Sequence, residues 1–554
     1  MSAPLPVETG QTAENQNTSS PPSRVAETVG TASEARGPTA TERERAASTG
    51  MWLAMWAAHQ GGAQAVLSPS GDRTFAELNA NVNRLARALR AAGLVPGDAV
   101  ALVCGNRPAF VESVHACLRA GLRYTPVNWH LTVHEIVHIV DDCEAKAVIA
   151  DARHAETLGE VRGRCPGVRV WLAVGGPMEG YADYEATLAA HAPDDLADPV
   201  LGSRMLYTSG TTGHPKGVVR PPNYSTGLEA HTTAPKYRAG TGKLNLCTGP
   251  YYHGGPLSFS LLAPLAAGVG VVVMERFDAE DALRLIAEHR ITHTHMVPIM
   301  FHRLLRLPAE VRARHDVSSM QYLLHGAAAC PVETKRAMID WFGPVLWEYF
   351  AATEGSGASV GSEAWLQRPG TVGLPPTPDH LRILDAAGEP CAAREPGVIH
   401  MKRSDTDFAY WKDPEKTERA RRGGYFTVGD IGFLDEDGFL FVTDRDANVI
   451  VSGGVNIYPA EVEAVLLTHP RVRDVAVIGV PNVEWGEEVK AVVECAAPQP
   501  DEAALADELI AYCRARVARF KCPKTIDLVA HLPRLDNGKL YRHQLRAAYR
   551  GVAP

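Results

Sequence analysis

The stretch Tyr207-Thr-Ser-Gly-Thr-Thr-Gly-His-Pro-Lys-Gly217 decides how this chain of 554 residues is interpreted. Hydroxyl side chains and glycines fill six consecutive positions: Thr208, Ser209, Gly210, Thr211, Thr212 and Gly213. Glycine lets the backbone approach a ligand closely, and consecutive N–H groups with Ser and Thr hydroxyls form an anion-binding concavity. Lys216 adds a positive charge suited to phosphate. The run follows the apolar residues Met205-Leu-Tyr207, so we interpret it as a phosphate-binding loop and not as a Gly/Thr-rich surface loop.

The stretch differs from the common nucleotide-binding P-loop. That motif ends in Gly-Lys followed directly by Ser or Thr. Here Lys216 is followed by Gly217 and Val218.

Composition excludes several classes of protein. The formal charge is −9, which gives no support for a nucleic-acid partner. Hydrophobic residues make up 45% of the chain and charged residues 21%, as in an ordinary globular protein. The ten cysteines are scattered without a Cys-x-x-Cys pair, so the sequence indicates neither a zinc site nor a disulfide framework. A reducing cytoplasm is the expected location.

The first 50 residues contain almost no large apolar side chain and are expected to be a disordered tail. They lack the apolar core of a signal peptide, and their acidic residues argue against a transit peptide. The longest apolar run, residues 257–274, is interrupted by Ser, Pro and Gly. We interpret this run as a buried helix followed by a strand, and expect no membrane span.

Helical and strand patterns alternate along the chain, which predicts an α/β fold with parallel-rich sheets covered by helices. Residues 74–93 read as a helix with a Thr74–Glu77 capping box, and residues 98–104 as a buried strand. Residues 51–445 are expected to form a large N-terminal domain. Residues 446–554 are expected to form a small α+β C-terminal domain, with helices at 459–468 and 501–519.

Further segments continue the pattern in order to the C-terminus. They are Pro250-Tyr-Tyr-His-Gly-Gly-Pro256, Gly326-Ala-Ala-Ala329, Trp347-Glu-Tyr-Phe-Ala-Ala-Thr-Glu354, Tyr425-Phe-Thr-Val-Gly-Asp430, Asp444-Arg445 with Ser452-Gly-Gly-Val-Asn-Ile-Tyr-Pro459, and Leu532-Pro-Arg-Leu-Asp-Asn-Gly-Lys539. Together with the phosphate loop they resemble the motifs of the adenylate-forming superfamily: acyl-CoA synthetases, luciferases and peptide-synthetase adenylation domains. The chain looks most similar to bacterial fatty-acid and aromatic-acid CoA ligases.

The resemblance implies a role for individual residues. Phe350 would stack on adenine, with the loop at Gly326 and Ala327 packed against the same ring. Thr353 and Glu354 would contact phosphate, and Glu354 with Thr208 would bind Mg²⁺, a hard cation that takes oxygen ligands. Asp430 would hold the ribose hydroxyls and Arg445 would contact ribose or phosphate. Lys539 would stabilise charge at the α-phosphate during adenylation.

Three histidines leave more than one interpretation. His253 resembles a family position that lines the carboxylate pocket, where it could orient the acid, but it could equally be a packed core histidine. His293 and His295 point to one face of a strand and resemble a metal pair. No third ligand is evident, so we interpret them as structural.

The implied reaction is ATP-dependent ligation of a carboxylic acid to coenzyme A through an acyl-adenylate, with a mobile C-terminal domain serving the two half-reactions. Three positions depart from the family pattern. Ala447 stands where the hinge residue is usually Asp or Lys, Phe350 replaces a more usual Tyr, and Ala351 replaces Gly. They leave open an adenylating enzyme with another acceptor, such as a carrier-protein thiol, an amine or nitrite. A nucleotide-binding protein without catalysis is the alternative from another class. The sequence assigns neither the acid nor an oligomeric state.

Overall fold

The computed structural model of the protein describes residues 37–208, 215–221, 242–403, 408–445, 448–452, 455–482, 485–499, 501–534 and 540–549. The helices are α1 (Ala40–Thr49), α2 (Trp52–Gln60), α3 (Phe75–Ala91), α4 (Pro108–Ala120), α5 (Val133–Asp142), α6 (Ala155–Arg164), α7 (Tyr184–Ala189), α8 (Gly254–Pro256), α9 (Ala263–Ala266), α10 (Ala279–Glu288), α11 (Pro298–Leu305), α12 (Ala309–Arg312), α13 (Val332–Phe342), α14 (Ser362–Gln367), α15 (Pro414–Arg419), α16 (Pro459–Leu467), α17 (Glu502–Arg514) and α18 (Arg542–Tyr549). A π-helical turn, Leu257–Leu262, joins α8 to α9.

The strands of the first part of the chain are β1 (Gln64–Leu67), β2 (Arg73–Thr74), β3 (Ala99–Val103), β4 (Arg123–Pro126), β5 (Ala145–Asp151), β6 (Val170–Val174), β7 (Ala182–Asp183), β8 (Ser203–Thr208), β9 (Lys216–Val219), β10 (Leu244–Cys247), β11 (Gly270–Val273), β12 (His293–Met296) and β13 (Tyr322–His325). The later strands are β14 (Leu346–Ala352), β15 (Gly355–Gly361), β16 (Leu381–Leu384), β17 (Gly397–Lys402), β18 (Ala409–Tyr410), β19 (Arg421–Arg422), β20 (Tyr425–Phe426), β21 (Asp430–Leu434), β22 (Leu440–Arg445), β23 (Ile450–Ser452), β24 (Val455–Ile457), β25 (Val472–Asn482), β26 (Gly486–Cys495) and β27 (Thr525–Val529).

Local sequence accounts for α3, the helix predicted with most detail. The Thr74 hydroxyl accepts the Glu77 N–H, and the Glu77 carboxylate accepts the Thr74 N–H at 2.9 Å, so the capping box is confirmed. The apolar residues at spacings of three and four are buried: Phe75, Leu78, Val82, Leu85 and Leu89. The amphipathic pattern therefore directs one face of α3 into the core.

Two large sheets form the body of the protein. In one, β14, β13, β12, β10, β11 and β1 run parallel, with antiparallel β15 and β2 at the edges. In the other, β8, β4, β3, β5, β6 and β7 are parallel, and β9 and β18 add antiparallel strands beyond β8. Parallel strands need crossover connections, and the helices between them supply these. The predicted α/β class is confirmed.

The helices cover both faces of these sheets. One hydrophobic core lies between the sheets and contains α2, α3, α4 and the helical segment that ends in α9. A second core packs α5 and α6 on the outer face of the sheet that contains β8. A third packs α10, α11 and α13 on the outer face of the other sheet. Each large sheet is thus covered by a hydrophobic core on both faces.

Two smaller sheets complete the fold. An antiparallel sheet contains β16, β17 and β19–β22, and β21 and β22 form a hairpin around Asp437-Gly438. The C-terminal sheet contains β23–β27 and packs against α16 and α17 in a core of its own. The small C-terminal domain expected from the sequence is therefore present.

The sequence-based boundaries fail at two elements. Disorder was predicted through residue 50, which is wrong for residues 37–50, because α1 forms there with a Thr39–Glu42 capping box and buried Ala46 and Ala47. The last long helix was predicted over 501–519, but α17 ends at Arg514. The chain turns there because Cys513 and Cys522 are buried under the small sheet.

The apolar run of residues 257–274 forms the π-helical turn, α9 and β11, as the sequence predicted. Among the described residues, no helix is both long and apolar enough to cross a membrane.

Candidate active site

The phosphate loop begins and ends on paired strands. Thr208, the last residue of β8, lies opposite Lys216, the first residue of β9. The predicted loop residues Ser209, Gly210, Thr211, Thr212 and Gly213 lie outside the described residues. Strand β8, which leads into the loop, is anchored to the end of α5, because the Tyr207 hydroxyl donates to Asp142 Oδ2 at 2.5 Å. The ladder therefore brings Thr208 and Lys216 to one edge of the sheet.

Thr353 and Glu354 are held beside this edge by groups that the motif analysis did not single out. Arg220, which follows β9, donates from Nε and Nη2 to the Thr353 carbonyl at 3.1 and 2.9 Å. The Tyr410 hydroxyl donates to Glu354 Oε1 at 2.9 Å. Burial, and then the charge of Glu354, raises the pKa of Tyr410, so its hydroxyl stays protonated and can donate.

Tyr410 belongs to β18, which pairs with β9 directly after the phosphate loop. This pairing explains why a residue almost 200 positions from the loop reaches Glu354. Asp413, three residues further on, accepts from Lys216 Nζ at 3.4 Å. A third sequence region thus contributes side chains to the site, and nothing in residue spacing indicated it.

The Gly326 loop packs against Tyr349, a residue that the sequence analysis did not single out. A Cβ on Gly326 would lie 2.6 Å from the Tyr349 ring, so only glycine fits there. Ala327 has φ of 65°, a left-handed conformation that is strained for a residue with a side chain. A strained conformation of this kind persists only where surrounding contacts hold the backbone in place, so the structure fixes the conformation of the Gly326 loop.

The Tyr349 hydroxyl lies 3.0 Å from His295 Nε2. Burial lowers the pKa of His295 to about 3, so its imidazole is neutral at physiological pH. A Cβ on Gly255 would lie 3.1 Å from both the Tyr349 hydroxyl and His295 Cε1. Phe259 packs on Tyr349 with ring centroids 4.9 Å apart. His295 therefore belongs to a cluster beside the Gly326 loop.

His253 directly precedes α8, between the end of β8 and the cluster around Tyr349. A Cβ on its neighbour Gly254 would lie 3.3 Å from Leu206 in β8, two residues before Thr208. The next residue, Gly255, faces Tyr349 and His295, as described above. His253 is half-buried and lies against Tyr252 at 4.6 Å between ring centroids.

Phe350 lies in β14 of a large parallel sheet, whereas Asp430 lies in β21 of the smaller antiparallel sheet. A Cβ on Gly357 would lie 2.5 Å from the Phe350 ring, so Phe350 packs over β15. Asp430 is buried at the start of β21 and lies opposite Arg445 in the β21–β22 ladder. The side chain of Arg445 and the whole of Lys539 lie outside the described residues.

A buried ion pair supports the strands beneath this site. Lys335 Nζ donates to Glu348 Oε2 at 2.6 Å, and both side chains are almost fully enclosed. Lys335 also lies 4.7 Å from the centroid of the Trp365 ring. Glu348 precedes Tyr349 and Phe350 in β14, so the pair fixes α13 to the strand that carries both rings.

In the described part of the chain, no group of three or more His, Cys, Asp or Glu residues could hold a metal ion. His293, predicted to be structural, is fully buried.

Comparisons with known proteins identify the family to which this chain belongs. Residues 53–411 match the family model of AMP-binding enzymes, and residues 461–539 match the AMP-binding enzyme C-terminal domain. The feruloyl-CoA synthase of Amycolatopsis sp. is 34% identical and is aligned over 86% of this chain and 94% of its own. The 2-succinylbenzoate–CoA ligase of Geobacillus kaustophilus is 35% identical over 86% of this chain and 92% of its own.

Solved structures share the fold. The amide bond synthetase McbA from Marinactinospora thermotolerans aligns with a TM-score of 0.76 at 28% identity, covering 91% of this chain and 100% of its own. ATP-bound MatB from Rhodopseudomonas palustris aligns with a TM-score of 0.78 at 28% identity, covering 91% and 99%. The chain therefore belongs to the family of AMP-binding enzymes and is an AMP-forming ligase of the acyl-CoA synthetase type.

Proposed function

We propose that this protein uses MgATP to convert a carboxylic acid into an acyl-adenylate and then transfers the acyl group to coenzyme A. The observation that carries the proposal is the fixation of Thr353 and Glu354 by Arg220 and Tyr410, beside the strand that begins with Lys216. Relatives that align over most of their length are named as CoA synthases and ligases.

Phosphate binding is assigned to Thr208–Gly213 and Lys216, and Mg²⁺ binding to Glu354 with Thr208. These residues fit the metal, because carboxylate and hydroxyl oxygens are the ligands that a hard cation takes. A carboxylate has about four lone-pair sites, so the hydrogen bond from Tyr410 leaves Glu354 acceptor capacity for a cation. When bound, Mg²⁺ would neutralise part of the phosphate charge.

The nucleoside is assigned to the part of the site around Phe350 in β14 and Asp430 in β21. In this proposal Phe350 and the Gly326–Ala327 loop enclose adenine, while Asp430 accepts from the ribose hydroxyls. Arg445, opposite Asp430 in the ladder, contacts ribose or phosphate. Strands β14 and β21 would thus present a ring and a carboxylate to one nucleoside.

Adenylation then needs a group that stabilises the charge on phosphorus. As a carboxylate oxygen of the acid bonds to the α-phosphate, the bond from that phosphorus to pyrophosphate breaks. We assign stabilisation of this charge to Lys539, whose ammonium can meet both the acid and the α-phosphate.

The acid pocket is assigned to the cluster around Tyr349. Gly255 and Gly326 leave room for the Tyr349 ring, and the hydroxyl of Tyr349 is bonded to His295. His253, which precedes this segment, is assigned to the carboxylate end of the pocket. The end of the pocket away from the carboxylate is therefore aromatic, and its polar group is the hydrogen-bonded pair of Tyr349 and His295.

The domain boundaries are also part of the proposal. Residues 37–445 would form the large domain and residues 446–554 the small one that rotates between half-reactions, with 1–36 as the tail. A hinge-type rotation would let one cleft serve two reactions. A cytoplasmic location is proposed because all ten cysteines are free thiols, as expected in a reducing compartment.

One observation favours an acyl acceptor other than coenzyme A. The neighbour McbA is named as an amide bond synthetase, so this fold also supports an amine acceptor. Ala447, at the expected hinge, is the position in this chain that leaves room for a different second half-reaction.

One experiment separates these outcomes. The purified protein is incubated with MgATP and a panel of fatty and aromatic acids, with and without coenzyme A, and products are identified by mass spectrometry. We expect an acyl-CoA thioester together with AMP and pyrophosphate. Acyl-adenylate that accumulates equally with and without coenzyme A would mean another acceptor. No acid-dependent release of pyrophosphate for any acid of the panel would count against catalysis.

A further inference from the structure

Lys416 lies in α15, a short helix that follows Tyr410 and Asp413. Its Nζ is 4.0 Å from the centroid of the Tyr410 ring, and the hydroxyl of that same ring donates to Glu354. Asp413 connects Lys416 to Lys216, because its Oδ1 accepts the Lys416 N–H at 2.9 Å while its Oδ2 accepts from Lys216 Nζ. Two lysines from distant parts of the sequence therefore meet beside Glu354.

The charge of Lys216 acts on Lys416, which is partly buried. Burial, followed by the charge of Lys216, lowers the pKa of Lys416. Among the described residues, the carboxylate that forms an ion pair here is Asp413, and it pairs with Lys216. Two cations held close together in a half-buried place repel each other, and here the charges of Glu354 and Asp413 act on Lys416 in the opposite direction.

The charge balance favours a polyphosphate as a ligand of these residues. Lys216 and Lys416 offset Asp413 and Glu354 when no ligand is bound. With a divalent cation on Glu354, as in the proposed function, this group of residues carries excess positive charge. The β- and γ-phosphates of ATP, and pyrophosphate after the reaction, carry matching negative charge.

We propose that Lys416 is a second phosphate-binding cation, which with Lys216 contacts the β- and γ-phosphates of ATP and the departing pyrophosphate. The proposal rests on the proposed function and adds a catalytic residue to it. When the bond from the α-phosphorus to the bridging oxygen breaks, pyrophosphate leaves with the electron pair. Lys416 stabilises that negative charge and transfers no proton.

The alternative role for Lys416 is structural, since its contact with Tyr410 could only hold that ring against Glu354. The two roles differ in which ligand they affect. A phosphate contact matters for ATP and pyrophosphate but not for AMP, which lacks the β- and γ-phosphates. A structural contact that positions the site would change AMP and ATP binding alike.

Isothermal titration of the full-length protein with MgATP, magnesium pyrophosphate and AMP, in the absence of any acid, distinguishes them. We expect Lys416→Ala to weaken MgATP and pyrophosphate binding by about tenfold or more, the loss of one charge-assisted hydrogen bond. AMP affinity should stay within about twofold, and Lys416→Arg should restore most of the loss. Arg419→Ala, on the exposed side of the same helix, is the matched control and should bind as the unmodified protein does.

Unchanged MgATP and pyrophosphate affinity in Lys416→Ala would overturn the proposal while leaving the proposed function intact. An equal loss for AMP and ATP would assign Lys416 the structural role instead. If the unmodified protein bound none of the three ligands, the proposed function and this inference would both fail.

Discussion

Tyr349 and Phe350 are adjacent in β14, and a strand directs adjacent side chains to opposite faces. Phe350 packs over β15, whereas Tyr349 lies between Gly326 and Gly255 with its hydroxyl on His295. In the proposed acid pocket the Tyr349 ring would therefore limit how far an acid can extend. Replacing Gly326 or Gly255 by a larger residue would collide with this ring.

We expect Tyr349→Ala to shift the preference toward longer or bulkier acids. The ratio of kcat/KM between a long acid and a short acid of one homologous series should rise by about tenfold or more, because each accommodated methylene contributes about 1 kcal/mol or more. Tyr349→Phe is the matched control, since it keeps the ring and removes the hydroxyl. It should retain the length limit. An unchanged ratio in Tyr349→Ala would remove Tyr349 from the pocket.

Lys539 can be tested through the two half-reactions. Lys539→Ala should slow acid-dependent pyrophosphate release by about a hundredfold or more, as for loss of one donor to a developing oxyanion. Thioester formation from a supplied acyl-adenylate and coenzyme A should remain near the unmodified rate. The two rates are measured in separate single-turnover assays. Equal losses in both would contradict the role assigned to Lys539.

Helix α4 contains a residue whose protonation links stability to pH. His115 is fully buried in this helix, and neither of its ring nitrogens has a hydrogen-bond partner among the described residues. Burial, then the charge of Arg119, lowers the pKa of His115 to about 3. In the unfolded chain the ring binds a proton below about pH 6.5, whereas in the folded protein it stays neutral. The stability that depends on neutral His115 is therefore complete above that pH and decreases as the pH falls.

We expect His115→Leu to flatten the acid dependence of unfolding. One histidine that protonates only when unfolded lowers stability by about 1.4 kcal/mol per pH unit between about pH 6.5 and its folded pKa. The slope for the variant should be smaller by about that amount, measured by urea unfolding from about pH 7 to about pH 5. His115→Gln, which is polar but does not titrate, should show the same smaller slope. Slopes identical to that of the unmodified protein would exclude His115 as the source.

The elements that local sequence determines were predictable. The Thr74–Glu77 capping box and the apolar spacing of α3 lie within a few residues of each other, and both are confirmed. The Asp-Gly hairpin of β21 and β22 is local in the same way. In contrast, α1 was missed although its Thr39–Glu42 capping box is equally local, because composition shows neither that box nor the packing that buries Ala46 and Ala47.

The residues of the candidate site also fall into two groups, those in local motifs and those that only the fold brings together. Glu354 and Asp430 stand in short motifs that can be recognised one by one, and the assigned roles of these motif residues stay predictions. Tyr410 and Lys416 enter the site because β18 pairs with β9. That pairing joins strands almost 200 residues apart, and no periodicity records it. Residues of this kind are found from the fold and not from spacing.

For the whole molecule, the small domain contacts the body through α11. Arg306, directly after this helix, donates to the carbonyls of Val472 and Pro470 at 2.5 and 2.8 Å, and His302 Nε2 lies 3.1 Å from the Arg473 carbonyl oxygen. These bonds go to backbone carbonyls, so they do not depend on which side chains the small domain carries there. A rotation of the small domain would have to exchange this set of bonds for another.

Ala447 tests whether rotation limits the second half-reaction. In the family pattern this hinge position usually carries Asp or Lys, whose polar group can form a different hydrogen bond in each orientation. We expect Ala447→Asp to leave acid-dependent pyrophosphate release within about twofold, because the residues assigned to adenylation are unchanged, and to raise the rate of thioester formation. Ala497→Asp, at an exposed position of the small domain, provides the charge-matched control. Both steps are followed by mass spectrometry after rapid mixing. If thioester formation stays the same while adenylation is intact, the rotation tolerates alanine at the hinge. A loss of adenylation would instead mean that residue 447 acts in the first half-reaction, which would place the hinge elsewhere.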